Sequence, residues 1–235
     1  MEEMLDKFVN AAKEALGDGL VSVILYGSKA GETDSEKKSD YNLLLILKNY
    51  HYELLSKLDS RTLKKWVRKG NPPPMIFVQE EFLKSADVFP IEFIDMVSNH
   101  NVLYGKDLLE NIKIDVANLR HECEYELKAK LLRLRQQWLL NRRNRKALRN
   151  ILAGTISSIL VILKHVVKLS GDKMPEKKID APDILSKRCG VNPEIFKGIY
   201  AIKHGYADIR KFRPEEIFKE YLVQIEKVVS YLDSL

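Results

Sequence analysis

The sequence is poor in cysteine, tryptophan and histidine, and it has no long uninterrupted apolar run. Its 235 residues include two cysteines, Cys123 and Cys189, which lie far apart and show no C-x-x-C spacing. This excludes a disulfide scaffold and a cysteine-built zinc site, and a reducing, cytoplasmic setting is the default expectation. The five histidines (His51, His100, His121, His165 and His204) form no zinc-type cluster. The longest apolar stretch, ILAGTISSILVIL at 151–163, contains Thr155, Ser157 and Ser158 and ends at Lys164-His165. It is too short to span a bilayer and reads as a buried helix, so no membrane partner is expected. The opening MEEMLDKFVN has neither the cationic nor the apolar region of a secretory leader, and none is expected. There is no internal repeat and no low-complexity segment.

What is present is ordinary in amount and uneven in placement. Hydrophobic residues make up 45% and charged residues 31%, typical of a globular chain long enough for one large or two small domains. Residues 1–110 carry 14 Lys+Arg against 18 Asp+Glu, a net of −4; residues 111–235 carry 25 against 15, a net of +10. The segment 128–149, KAKLLRLRQQWLLNRRNRKALR, has nine basic residues and no acidic one. Such a segment fits either a positive wall beside an anionic ligand or a helical corner with solvated charges and snorkelling stems. The second is favoured, particularly for 142–146, while Arg133 or Arg135 stays open as a ligand contact. RNA is not favoured as a partner, because no RNA-module signature or aromatic stacking motif is found. A homodimer stays open.

Periodicity divides the chain near 106–115. The first part mixes helices and strands. A helix is expected over 2–17, strands over 21–26 and 41–47, and one helix over 51–68 that ends at Asn71-Pro72-Pro73-Pro74. A strand at 75–78, a short helix at 79–86, a strand at 91–96 and a brief strand at 102–104 follow. The near-continuous apolar run 41–47 implies cover on both faces of its sheet. The second part is helical: 116–140 carries Val116, Leu119, Cys123, Leu127, Leu131, Leu134 and Trp138 at steps of three and four, and a second long helix spans 146–169. The final helix begins at Arg213-Pro214 and buries Ile217, Tyr221, Ile225, Val228 and Leu232.

The informative stretch is LYGSKAGETDSEKKSDYNLLLIL, residues 25–47. A strand that ends in Gly27-Ser28 offers backbone N–H groups and a hydroxyl to an anion, and the missing Cβ of Gly27 permits close approach. Asp40 and Asn42 stand two apart at the mouth of the next strand, so their side chains share a face where they could share a divalent cation. Each signal alone is weak. Gly-Ser, eleven intervening residues and Asp-x-Asn entering an apolar strand form a more specific combination.

This combination resembles the nucleotidyltransferase superfamily that includes DNA polymerase beta and the aminoglycoside adenylyltransferases. Its motif is Gly-Ser followed, ten to twelve residues later, by Asp-x-Asp on a strand. LYGSKAG (25–31) matches the first element, and SDYNLLLIL (39–47) matches the second except at Asn42. The resemblance implies an α+β fold: a mixed sheet with helices over 1–110, followed by an all-α helical bundle over 111–235 that helps to form the acceptor site. It also implies a third acidic residue on a later strand. Glu92, in FPIEFIDM and shortly before VLYGKD, fits that position; Asp95, on the opposite face of such a strand, is the second choice.

The resemblance further implies that Gly27, Ser28 and Lys29 bind the nucleotide, that Asp40 and Glu92 are catalytic, and that Asp40, Asn42 and Glu92 hold Mg²⁺. The partners it implies are a nucleoside triphosphate, with ATP favoured, and a hydroxyl-bearing small molecule or protein as acceptor. Transfer would expel pyrophosphate. Asn42 keeps a carbonyl oxygen but removes one negative charge, which weakens metal binding. A catalytically silent nucleotide-sensing or protein-binding module is the alternative.

Overall fold

The computed structural model describes residues 2–27, 29–31, 40–58, 60–110, 112–206 and 213–235. They form two compact units, Met1–Asp115 and Val116–Leu235.

In the first unit, helix α1 (Glu2–Leu16) passes through a short 3₁₀ turn at Gly17–Gly19 into strand β1 (Leu20–Tyr26). Strand β2 (Asn42–Leu47), helices α2 (Tyr52–Ser56) and α3 (Ser60–Arg68), strand β3 (Met75–Val78), helices α4 (Gln79–Lys84) and α5 (Pro90–Ser98), and strand β4 (His100–Gly105) follow. The sheet order is β3-β2-β1-β4. Strand β1 is antiparallel to both β2 and β4, and β2 is parallel to β3. The sheet is covered on both faces, as the apolar run 41–47 implies. Val23, Leu25, Leu43, Leu45 and Leu47 pack with Phe8, Ala12, Leu16 and Trp66 of α1 and α3. Ile24, Leu44 and Ile46 pack on the other face with Phe82, Phe93, Met96 and Leu109. The odd and even residues of β2 thus feed two separate cores, which is why the strand is apolar throughout.

Three local expectations are corrected. Residues 91–96 are not a strand: they lie inside α5. Pro90 occupies the first turn, where its fixed φ and missing N–H suit a helix, and Glu92 sits beside the positive end of the helix dipole. The apolar set Pro90, Ile91, Phe93, Ile94 and Met96 is buried at helical spacing, which the short run does not distinguish from a strand. The single helix expected over 51–68 is two, α2 ending at Ser56 and α3 beginning at Ser60, although Leu58 and Trp66 are buried as expected. The strand expected at 102–104 begins earlier, at His100.

The second unit is all helical: α6 (Val116–Asn141), α7 (Arg145–Leu169), α8 (Ala181–Cys189), α9 (Pro193–Lys203) and α10 (Pro214–Asp233). Asn144 caps α7 by accepting a hydrogen bond from Ala147 N at 3.0 Å. α7 is long and apolar enough to cross a membrane, yet Leu152, Ile156, Ile159, Leu163 and Val166 are buried in the core of this unit. Val116, expected inward, is exposed, and on α10 Phe218 rather than Ile217 is buried. Part of the basic segment is paired locally. Lys128 pairs with Glu124 and Asp233, Lys130 with Glu126, Arg135 with Glu226 and Arg145 with Glu215.

One backbone constraint locks β4 to β1. Gly105 has φ +82°, and a Cβ built on it would lie 1.9 Å from the Val21 carbonyl oxygen. Ser22, fully buried, donates from Oγ to the Tyr104 oxygen (3.0 Å) and the Lys106 oxygen (2.7 Å) across the same contact. Gly105→Ala combines a disfavoured φ with a backbone clash and should cost at least about 2 kcal/mol. A denaturant titration of the full chain measures it, with Gly154→Ala, mid-helix where an added Cβ meets open space, as the control of opposite sign, expected to stabilise by up to about 1 kcal/mol.

Candidate functional site

The candidate site lies where β1 ends and β2 begins. Gly27 follows β1 with φ +82°, a conformation natural only to glycine, and the chain turns so that Ala30 N donates to Gly27 O at 3.0 Å. The turn is tied to the edge strand at two points. Gly27 N donates to Asn99 O (2.9 Å), and Asn101 Nδ2 donates to Ala30 O (3.2 Å). The N–H of Gly27 is therefore spent within the protein, and its contribution to an anion site is the turn and the missing Cβ. Ser28, the expected hydroxyl ligand, lies outside the described residues, as does 32–39.

The strand register brings Gly27 against Asn42. Tyr26 pairs directly with Asn42 on β2 and with His100 on β4, so these three side chains share a face of the sheet. A Cβ on Gly27 would lie 3.2 Å from Asn42 Nδ2. The turn's freedom from side-chain bulk is thus what admits the amide of residue 42. Asp40 precedes β2 and is exposed, and its Oδ1 lies 3.8 Å from the point where a Cβ on Gly70 would sit. The backbone between them is anchored: Tyr41 N donates to Asn71 Oδ1 (3.0 Å), Asn71 is buried, and Trp66 Nε1 donates to Pro72 O (2.6 Å) beneath it. Lys29 Nζ stands 5.9 Å from the centre of the Tyr41 ring, which holds the loop lysine by a cation–π contact beside the turn.

Glu92 comes from α5, not from a strand. Its Oε2 is buried. On a helix, residues three apart share a face, so Asp95 lies on the same side as Glu92 and not opposite it. Both act on Tyr26. Burial raises the pKa of its phenol, and the negative charges of Glu92 and then Asp95 raise it further, so Tyr26 stays protonated across the physiological range. The strand on the other side of β2 from β1 is β3, Met-Ile-Phe-Val, which carries no carboxylate. A strand-borne third acid is therefore not found on β3. Among the described residues, no group of three or more His, Cys, Asp or Glu side chains is placed to hold a metal ion. The available donors, a carboxylate at Asp40, a carboxylate at Glu92 and an amide oxygen at Asn42, are hard oxygens of the kind Mg²⁺ takes.

Sequence reasoning missed Tyr26, Asn71 at the entry to β2, and the two groups that hold the turn, Asn99 and Asn101. The cluster Ser98-Asn99-His100-Asn101, polar residues entering a strand, is the signal that could have found the last two. It also missed a pair on the edge strand. His100 Nε2 lies 3.0 Å from Asp107 Oδ2, and Leu109 N donates to Asp107 Oδ1 at 2.9 Å. Burial pushes the Asp107 carboxyl upward, but these hydrogen bonds and the imidazole charge outweigh it and hold the group below its ordinary value. A carboxyl depressed in the folded state adds stability above its unfolded pKa and loses it as pH falls through the folded one. The melting-temperature gap between wild type and Asp107→Asn should therefore be widest near neutrality and close as pH drops below about 4. For the turn, Gly27→Ala should cost about 1–2 kcal/mol in a denaturant titration and displace the Asn42 amide.

No protein-family model matches the chain. It is 30% identical over 121 residues, 48% of its own length and 81% of the relative's, to a Methanocaldococcus jannaschii protein named "Putative protein adenylyltransferase". Its fold is similar to that of spectinomycin adenyltransferase from Enterococcus faecialis, a crystal structure with ATP and spectinomycin. That similarity has a TM-score of 0.60 at 12% identity and covers 96% of this chain and 99% of the other. The match spans both the mixed-sheet unit and the helical unit, as the α+β expectation requires.

Proposed function

Because the chain belongs to the nucleotidyltransferase superfamily, we propose that it binds a nucleoside triphosphate at the Gly27 turn and transfers the nucleotidyl group to an acceptor hydroxyl. The observation that carries this reading is the contact of Gly27 with Asn42 across the β1–β2 register, which joins the two halves of the motif at one sheet end. ATP is the favoured nucleotide, since the similar solved structure contains it. The acceptor is a small molecule or a protein side chain; the names of the two relatives support one each.

In the transfer, a bond forms between the acceptor oxygen and the α-phosphorus. The bond from that phosphorus to the bridging oxygen breaks, and pyrophosphate leaves. The acceptor proton passes to the Glu92 carboxylate. Gly27 and Ser28 receive the phosphates, and Lys29, beside the turn, adds positive charge. Superfamily members generally use divalent metal ions; Mg²⁺, when bound, supplies charge neutralisation at the triphosphate. Asp40, Asn42 and Glu92 are the residues that would hold it. The amide at 42 lowers the anionic charge of that donor set by one, which weakens metal binding and slows transfer without removing the site.

Labelled ATP incubated with the full chain, Mg²⁺ and cell extract tests the reading. Labelled small molecule or labelled protein is expected, and Asp40→Ala should reduce it by at least about a hundredfold. Asn42→Asp should raise transfer about tenfold or more and lower the Mg²⁺ concentration needed for half-maximal rate. Nucleotide binding with no labelled product for either wild type or Asn42→Asp would instead identify a binding module without turnover.

A further inference from the structure

Asn42 departs from the carboxylate of the family motif, and its surroundings give the amide a task of its own. Its Nδ2, a double hydrogen-bond donor, lies against Gly27, in the space a Cβ there would enter. The Gly27 N–H is committed to Asn99 O. The turn has thus given up one donor for its own stability and gained another from the neighbouring strand. The register that pairs Tyr26 with Asn42 fixes this, because a slip of one residue would turn the amide to the opposite face. The charge balance agrees. A carboxylate at 42 would add its repulsion of a phosphate at the turn to that of Asp40 and Glu92, whereas an amide adds a donor and no charge.

We propose that Asn42 is a phosphate-binding donor, so that this chain binds the nucleotide's phosphates without a divalent cation. This rests on the nucleotide-binding reading of the Gly27 turn. It separates two properties that the Asp-x-Asp motif joins: holding the triphosphate, which falls to Asn42, Lys29 and the turn, and accelerating transfer, which still requires the cation. The ligand class is a nucleoside triphosphate in its metal-free, fully anionic form.

The test is isothermal titration calorimetry of the full-length chain with ATP, once in EDTA and once in excess Mg²⁺, on wild type, Asn42→Asp and Asn42→Ala. Far-UV circular dichroism and thermal melts check that each variant is folded. For wild type, the dissociation constants in EDTA and in Mg²⁺ should agree within about threefold. Asn42→Asp should lose at least about tenfold in EDTA and recover in Mg²⁺, whereas Asn42→Ala should lose about tenfold in both, the loss of one hydrogen bond to a charged group. Phosphorus NMR of ATP in EDTA should show phosphate resonances shifted by wild type and not by Asn42→Asp. Binding by wild type that vanishes in EDTA overturns this inference and leaves the nucleotide reading standing. Equal binding by wild type and Asn42→Asp in EDTA also overturns it. No binding by any form in either buffer overturns both.

Discussion

Strand β1 is hydrogen-bonded on both sides by antiparallel neighbours, and it can end as it does only because residue 27 has no side chain. That constraint organises the whole mixed-sheet unit. The two pairings put Asn42, Tyr26 and His100 in one row across three strands, and the positive φ of Gly27 turns the chain out of the sheet at that row. A Cβ there would meet the Asn42 amide, and the Gly27 N–H is held by Asn99 O. At the opposite end of β1, Gly105 plays the matching role, because any side chain on it would strike the Val21 carbonyl. The strand is held at both ends by glycines whose space belongs to a neighbour.

The polar groups around the site are arranged as supports. Asn71, buried at the foot of the three prolines, accepts from the Tyr41 backbone and so fixes where Asp40 leaves the loop. Asn101 holds Ala30, and the Trp66 indole closes the turn at Pro72. Each satisfies a backbone group that would otherwise be left unpaired where the chain reverses. A site assembled from two strand ends and one helix needs such ties, since Gly27–Lys29, Asp40–Asn42 and Glu92 come from three separate segments. Part of the basic character of the second unit is met locally: most of the cations on α6 face acids on α6 itself or on α10.

Legibility was uneven for physical reasons. β2 was readable because five consecutive buried aliphatic residues, 43–47, have no other use in so short a run. α6, α7 and α10 were readable because apolar residues recur over several turns, and the boundaries at Asn144 and Pro214 follow capping chemistry. Residues 91–96 are ambiguous in sequence because six residues with mixed polarity fit both a two-residue and a 3.6-residue period, and only packing against the face of Ile24, Leu44 and Ile46 selects the helix. The same ambiguity put Asp95 on the wrong side of Glu92. The division of 51–68 leaves no signal in the sequence, because Leu55, Leu58, Leu63 and Trp66 keep one stripe across it.

The sequence by itself determined the motif and its departure: Gly27, Asp40 and Asn42 at their spacing, the α+β order of elements and the family to which the chain belongs. These depend on residue identity and short-range periodicity, which a linear string carries in full. Tertiary structure decided what Asn42 touches, where the Gly27 N–H is spent, and that Glu92 and Asp95 approach Tyr26 together from a helix. Those relations depend on strand register and helix placement, which arise from pairings between segments many residues apart and leave no local trace in the sequence.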